Sequence, residues 1–253
     1  MTRALPSLAV VVLAAGKGTR MRSPLAKVLH PLAGCPLIAH VLTAVQPLAP
    51  RHLITVVGHQ AEAVRRVGER FGACCVVQAP QLGTGHAVAQ TATVLRDFNG
   101  VVLVLCGDVP LLRTTTMRRL LEAHREQQAT LTMLTTHLDD PTGYGRILRN
   151  DQGHVTGIVE ERDATPSQRA VCEVNSGMYC LQAAFLFAAL PRVGRHNAQG
   201  EQYLTDVVGL AATDGLPIAH LATAPEEILG VNTPADLAHL ETLLRNRRGD
   251  EPS

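Results

Sequence analysis

Short, almost wholly apolar runs recur along the first half of the chain, and polar-apolar stretches of helical spacing separate them. Residues 9–13, 53–57, 75–78 and 101–105 form such runs, which predict strands buried on both faces. Residues 36–44, 60–71 and 85–95 return to apolar positions every three or four residues and predict helices. Strand and helix in alternation imply a parallel sheet with right-handed crossovers. From about Ala129 the rhythm changes. ATLTMLTT predicts a strand, GRILRNDQGHVTGIVEE two strands around a turn at residues 150–153, and VNSGMYCLQ a further strand. Residues 183–190 and 202–213 read as helices and LPIAHLAT as a strand. A closing helix over residues 234–245 is well signalled, with Thr233 at its N-cap, Pro234 in its first turn and Asp236 three residues after the cap. The polar tail RNRRGDEPS is expected to fray. No internal repeat or long linker interrupts residues 1–253, so the pattern predicts one domain carrying a small antiparallel insert.

Composition narrows the chemistry. The chain has 253 residues, a 46% hydrophobic fraction ample for a packed core, and a net charge of +1. That charge gives no reason to expect a nucleic-acid or membrane surface, so any phosphate must be bound by a few placed residues. Six scattered cysteines without C-x-x-C spacing suggest a reducing, cytoplasmic setting with thiols as small core groups. Arg3 and the following ALPSLAVVVLAAG have the outline of a signal peptide. A buried first strand is the expected reading, because cleavage after LAA would leave the next loop with no strand to spring from. No apolar run reaches the ~20 residues of a membrane span.

The loop LAAGKGTRMRSPLAKVLH holds Lys17 and Lys27, the only two lysines among 23 basic residues. It leaves a strand at the edge where α/β sheets bind phosphates. It is no Walker A loop, and Met21 stands where a dinucleotide fingerprint needs its third glycine. Lysine is a compact point charge suited to phosphate oxygens, and arginine is no neutral substitute. Lys17, Arg20, Arg22 and Lys27 together suit a nucleoside triphosphate; the competing reading is a glycine turn with solvated charges.

Two later segments follow strands in the same way. In QAPQLGTGHA the side-chain amides of Gln78 and Gln81 offer donor and acceptor to a nucleobase edge, or the segment is a plain β-to-α connection. In VVLVLCGDVPLL, Asp108 follows a very apolar strand and offers the oxygen a hard divalent cation requires, unless it serves only as a turn residue before Pro110.

Taken in order with DDPTGYGRI, GIVEERDAT and NAQGEQYLTD, these segments resemble sugar-phosphate nucleotidyltransferases over nearly the whole chain. Within that family they are similar to the uridyltransferase domains of bifunctional N-acetylglucosamine-1-phosphate uridyltransferase/glucosamine-1-phosphate acetyltransferases. The resemblance implies a Rossmann-like α/β fold with a mixed, mostly parallel sheet. Residues of about 7–128 would bind the nucleotide and about 129–246 the sugar. It implies UTP at Leu13, Ala14, Ala15, Gly16, Lys17, Gly18, Gln78, Gln81, Gly83 and Thr84, catalytic roles for Arg20 and Lys27, and Mg²⁺ on Asp108 and Asn232. It also implies sugar contacts from the Gly145 backbone, Glu160 and Asn175, which by themselves read as a hairpin entry, a solvated face and a turn. Asn232 by itself reads as an Asx-turn.

Three positions depart from the family pattern. Cys106 replaces an aromatic, Ala26 a proline and Ser176 a threonine. The hexapeptide-repeat domain that carries acetyl transfer and forms a trimer has no counterpart here. The expected reaction is UTP plus N-acetylglucosamine 1-phosphate giving UDP-N-acetylglucosamine and pyrophosphate. The alternatives are another sugar 1-phosphate or dTTP, a nucleotide-binding module without turnover and, more distantly, an NAD-dependent oxidoreductase.

Overall fold

The chain is described by a computed structural model over residues 7–249. Strand β1 (Leu8–Ala14) lies at the centre of a nine-stranded sheet. After it come the two-residue strands β2 (Pro31–Leu32) and β3 (Cys35–Pro36), helix α1 (Leu37–Val45), β4 (His52–Val57), α2 (Ala61–Glu69), β5 (Cys74–Val77), α3 (Thr84–Ala89) and β6 (Val101–Cys106). The second half adds α4 (Thr114–Glu126), β7 (Leu131–His137), β8 (Arg146–Arg149), β9 (Val155–Val159), α5 (Pro166–Arg169), β10 (Glu173–Gln182), α6 (Ala183–Ala189), α7 (Asp206–Thr213), β11 (Ile218–Ala222) and α8 (Pro234–Gly249).

The order across the sheet is β11-β7-β10-β6-β1-β4-β5, with the β8–β9 hairpin joined to β10. Strands β6, β1, β4 and β5 are parallel, while β10 runs antiparallel to both its neighbours. The expected mixed, mostly parallel sheet is therefore observed, and the antiparallel part is where the sequence rhythm changed.

Strand β1 shows why an unbroken apolar run is needed at the centre. Val10, Val12 and Ala14 pack on one face, and Ala9 and Val11 on the other. All are buried, so a charge at Val11 would have no route to solvent. Burial of each of these valines contributes about 1.5–3 kcal/mol, which explains the absence of polar relief along the strand.

Several expected boundaries move. Helix α3 stops at Ala89 and tightens into a 3₁₀ turn over Gln90–Ala92, where the Thr91 hydroxyl donates back to the Val88 carbonyl at 2.7 Å. Residues 202–205 are not helical, and α7 begins only at Asp206. Helix α8 continues past Arg245 to Gly249, into the stretch expected to fray, and residues 250–253 lie outside the described residues. The Arg3 end of the signal-peptide pattern also lies outside them, while its apolar run is β1. Helix α4 is not announced by the pattern, because its buried positions Thr116, Met117, Leu120 and His124 are half polar. His124 hydrogen-bonds Thr132 at 2.9 Å, and burial pushes its pKa down to about 4. Among the described residues no helix is long and apolar enough to cross a membrane.

Candidate nucleotide and phosphate site

The loop after β1 is shaped by backbone approach. The Ala15 carbonyl accepts from the His59 N–H and from the Gln81 amide. A Cβ on Gly58 would fall 2.8 Å from that carbonyl and 2.6 Å from the Gln81 nitrogen, so the convergence requires glycine there. Gly18 has φ +67°, and a Cβ on it would lie 2.6 Å from the Cβ of Lys27. The stem of the second lysine thus crosses directly over the glycine turn. Met21, the residue in the place of a third fingerprint glycine, anchors the turn in a cluster with Leu32, Leu37, Leu111, Val231 and Leu240.

Four side chains from three distant parts of the sequence meet beside this loop. The Lys27 ammonium pairs with the Asp108 carboxylate and donates to Asn232 Oδ1 at 3.2 Å. Arg20 Nη2 donates to the same Asn232 oxygen at 3.0 Å. Asp108 is brought there by β6, whose end is tied to β1 through Gly107 N–H to the Leu13 carbonyl, and its own carbonyl accepts from Val231 N–H at 3.0 Å. Asn232 is oriented by Asp236, whose carboxylate accepts from the Asn232 and Thr233 N–H groups at 2.8 Å each. Thr233 accepts in return from Asp236 N–H at 3.2 Å, closing the predicted cap.

Asp108 and Asn232 Oδ1 therefore both face one cation, the Lys27 ammonium. Such a pair of hard oxygen donors suits a divalent cation that takes its other ligands from phosphates and water. Among the described residues no group of three or more His, Cys, Asp or Glu could hold a metal.

Two cavities adjoin this cluster. One of about 480 Å³ is lined by every residue expected at the nucleotide: Leu13 to Gly18, Gln78, Gln81, Gly83 and Thr84, together with Lys27. The other, of about 390 Å³, is lined by Arg20, Asn232, Tyr144, Asp236 and His239. Cys106 and Asp108 line both. The Cys106 thiol is 3.6 Å from the Gly177 carbonyl, and burial, reinforced by Asp108, pushes its pKa up to about 12.

The glutamines are partly committed to the loop itself. Gln78 Nε2 donates to the Gly83 carbonyl at 2.8 Å and lies 3.1 Å from His86 Nδ1, and Gln81 uses its nitrogen on Ala15. Thr84 accepts from Leu204 N–H at 2.9 Å, and a Cβ on Gly83 (φ +110°) would meet the Gln202 carbonyl at 2.4 Å. Residues 201–204 dock on this turn without regular structure, with Gly85 N–H on the Gln202 carbonyl at 2.8 Å and Gln202 N–H on the Leu82 carbonyl at 2.7 Å. Those contacts are why the expected helix from residue 202 does not form.

Gly145, Glu160 and Asn175 are neighbours of one another but line neither of the two cavities. The Gly145 carbonyl accepts from Asn175 N–H at 2.9 Å, and a Cβ on Gly145 would stand 3.4 Å from Glu160 Oε2. Asn175 Oδ1 accepts from Gly177 N–H at 3.1 Å and Tyr179 OH at 2.9 Å. Glu160 is no solvated face: Thr205 donates to it at 3.1 Å, and burial pushes its pKa up. It faces a third cavity of about 260 Å³ with Asp163, Tyr203 and Asp206.

Sequence reasoning missed Arg146. It is buried, donates to the Tyr144 carbonyl and lies 2.7 Å from Glu161, which also accepts from Gly143 N–H at 3.3 Å. This clamp holds residues 143–145 against the hairpin. An arginine opening the apolar RIL of β8 was its only sequence signal.

The profile of the MobA-like NTP transferase domain matches residues 10–203. The chain is 51% identical over 245 residues to the bifunctional protein GlmU of Geobacter metallireducens, covering 95% of this chain and 51% of that protein. It is 50% identical over 248 residues to the protein of the same name from Pelobacter propionicus, covering 96% and 53%. For the Desulfotalea psychrophila protein the identity is 44%, covering 96% of this chain and 72% of that one. The chain thus spans about half the length of the first two of these relatives. A Bacillus anthracis crystal structure, described as a candidate glucose-1-phosphate thymidylyltransferase, shares the fold with a TM-score of 0.77 at 20% identity, covering 98% of this chain and 97% of that one.

Proposed function

Since the chain belongs to the MobA-like NTP transferase domain family, we propose that it transfers a uridylyl group from UTP to N-acetylglucosamine 1-phosphate. The products are UDP-N-acetylglucosamine and pyrophosphate. The observation that carries the reading is the cluster of Lys27, Arg20, Asp108 and Asn232 at the meeting of two cavities. A phosphate oxygen of the sugar phosphate attacks the α-phosphorus in line, and the bond to the bridging oxygen of the departing pyrophosphate breaks. No protein nucleophile is needed, so catalysis is positioning and charge neutralisation.

The residues divide that work. The loop from Leu13 to Gly18, with Gln78, Gln81, Gly83 and Thr84, holds uracil and triphosphate in the larger cavity. Lys27 neutralises charge growing on the reacting phosphate, and Arg20 and Lys17 favour the departing pyrophosphate. Asp108 and Asn232 would hold Mg²⁺, which when bound would neutralise phosphate charge that Lys17, Arg20 and Lys27 leave uncompensated. Lys27, which pairs with Asp108, would offer its ammonium to the phosphates. The Gly145 backbone, Glu160 and Asn175 bind the sugar, so residues of about 7–128 serve the nucleotide and about 129–246 the sugar.

The Cys106 departure beside both cavities keeps dTTP and other sugar 1-phosphates as the second reading. Pyrophosphate release across UTP, dTTP and a panel of sugar 1-phosphates, with and without Mg²⁺, separates them. UTP with N-acetylglucosamine 1-phosphate should give the highest kcat/KM and no product without metal. Tight UTP binding with no product from any pair would establish a non-catalytic module instead.

A further inference from the structure

Lys27 is held in place from a distance. Residues 22–26 run from the 3₁₀ turn at Thr19–Met21 to Lys27, and only one residue far along the sequence hydrogen-bonds them among the described residues. That residue is Gln60, whose side chain accepts from Ala26 N–H at 2.8 Å and donates to the Pro24 carbonyl at 3.0 Å. The amide thus spans the segment as a neighbouring strand would, fixing both ends of the tripeptide that delivers Lys27. Gln60 itself sits at φ +50°, just before α2, so β4 and α2 set its direction.

Ala26 is fully buried, with φ −56° and ψ 137°. That φ lies within the range a proline ring imposes. A proline would satisfy that φ; this chain instead has an N–H at position 26, and the N–H is bonded to Gln60. A ring and a bonded amide are two ways of restricting the same backbone, and they exclude each other. A proline nitrogen has nothing to donate, and its ring would occupy the space of the Gln60 oxygen 2.8 Å away.

We propose that Gln60 is a positioning residue for Lys27, replacing through two hydrogen bonds the restraint that a proline at position 26 would impose. Gln60 touches no reacting group. It acts through the backbone at Ala26, and small displacements of a charge-neutralising group carry large rate effects: a 1 Å misplacement costs about a hundredfold. The role assigned to Lys27 rests on the uridylyl-transfer reading, whereas the hold of Gln60 on the segment does not.

A double-mutant cycle with two readouts tests this. By pyrophosphate release, Gln60→Ala should lower kcat about tenfold with little change in KM for the sugar phosphate. Gln60→Glu keeps an acceptor for Ala26 N–H and should retain more of the rate than Gln60→Ala. Ala26→Pro alone should also be slow, because its ring meets the amide. Ala26→Pro in the Gln60→Ala background should recover most of the lost kcat, since the ring then has room and restores the restraint. Two deleterious changes that offset each other are not the signature of a merely destabilising residue. The second readout is amide hydrogen exchange, which needs no turnover: Gln60→Ala should speed exchange at Ala26 and leave the amides of α1 unchanged. Unchanged kcat in Gln60→Ala, or a double variant no faster than either single one, would overturn the proposal. Unchanged exchange at Ala26 would do the same. If the wild-type chain makes no product while exchange responds as stated, the transfer reading fails and the hold of Gln60 on the segment stands.

Discussion

The two sides of the site are built by opposite means. On the nucleotide side, parallel strands β1, β4 and β6 end together, and the walls are glycines and main-chain groups packed so closely that a Cβ at Gly18, Gly58 or Gly83 would collide. On the other side, around the antiparallel strands β8, β9 and β10, side chains meet one another: Arg146 with Glu161, Asn175 with Tyr179, and Glu160 with Thr205. The first construction leaves a cavity ringed by backbone, suited to a ligand that carries charge. The second leaves a polar network bonded largely among its own members, which under the proposed function a sugar would enter by exchanging hydrogen bonds.

The sharpest way to break this contrast is at its chemical extreme. Lys27→Ala should lower kcat by about 10²–10³, the usual effect of removing one preorganised charge-stabilising group. Asn175→Ala should instead raise KM for the sugar phosphate with a smaller loss of kcat, if it binds the sugar as proposed. Steady-state pyrophosphate release on both variants checks this, and near-full turnover in Lys27→Ala would end its role.

A smaller effect is expected from the clamp. Arg146→Met removes the donor to the Tyr144 carbonyl and the arginine partner of Glu161, which keeps the Gly143 N–H, and should lower the midpoint of urea unfolding. The same change should loosen residues 143–145, raising KM for the sugar phosphate more than KM for UTP. Equal changes in both would mean that the two sides are not separable.

The smallest effect is in pH dependence. Burial raises the pKa of Glu160, so between the ordinary carboxyl range and its raised value the folded protein binds more protons than the unfolded chain. Stability should therefore decline as pH rises through that window. Glu160→Gln should flatten that part of the stability–pH curve, as measured by thermal denaturation across pH. An unchanged curve would show that the Glu160 carboxyl does not contribute to it.

Much of this protein was determined by sequence alone. Apolar runs and helical spacing gave the strand–helix alternation, because burial on both faces leaves no room for polar relief in the central strands. The glycine loop with its paired lysines disclosed the phosphate side, since close backbone approach demands glycine at particular positions. Tertiary structure decided what local chemistry leaves open. Residues 202–205 follow local propensity until they dock on Gly83 and Gly85, where backbone hydrogen bonds outweigh it. Arg20, Lys27, Asp108 and Asn232 converge only because β1 and β6 end side by side and α8 returns to the same edge. Gln60 and Arg146 act across 34 and 15 residues, on Ala26 and Glu161, and no local pattern marks Gln60, while only the arginine at the head of an apolar strand marks Arg146. Their roles come from partners distant in the chain, which a pattern of neighbours does not contain.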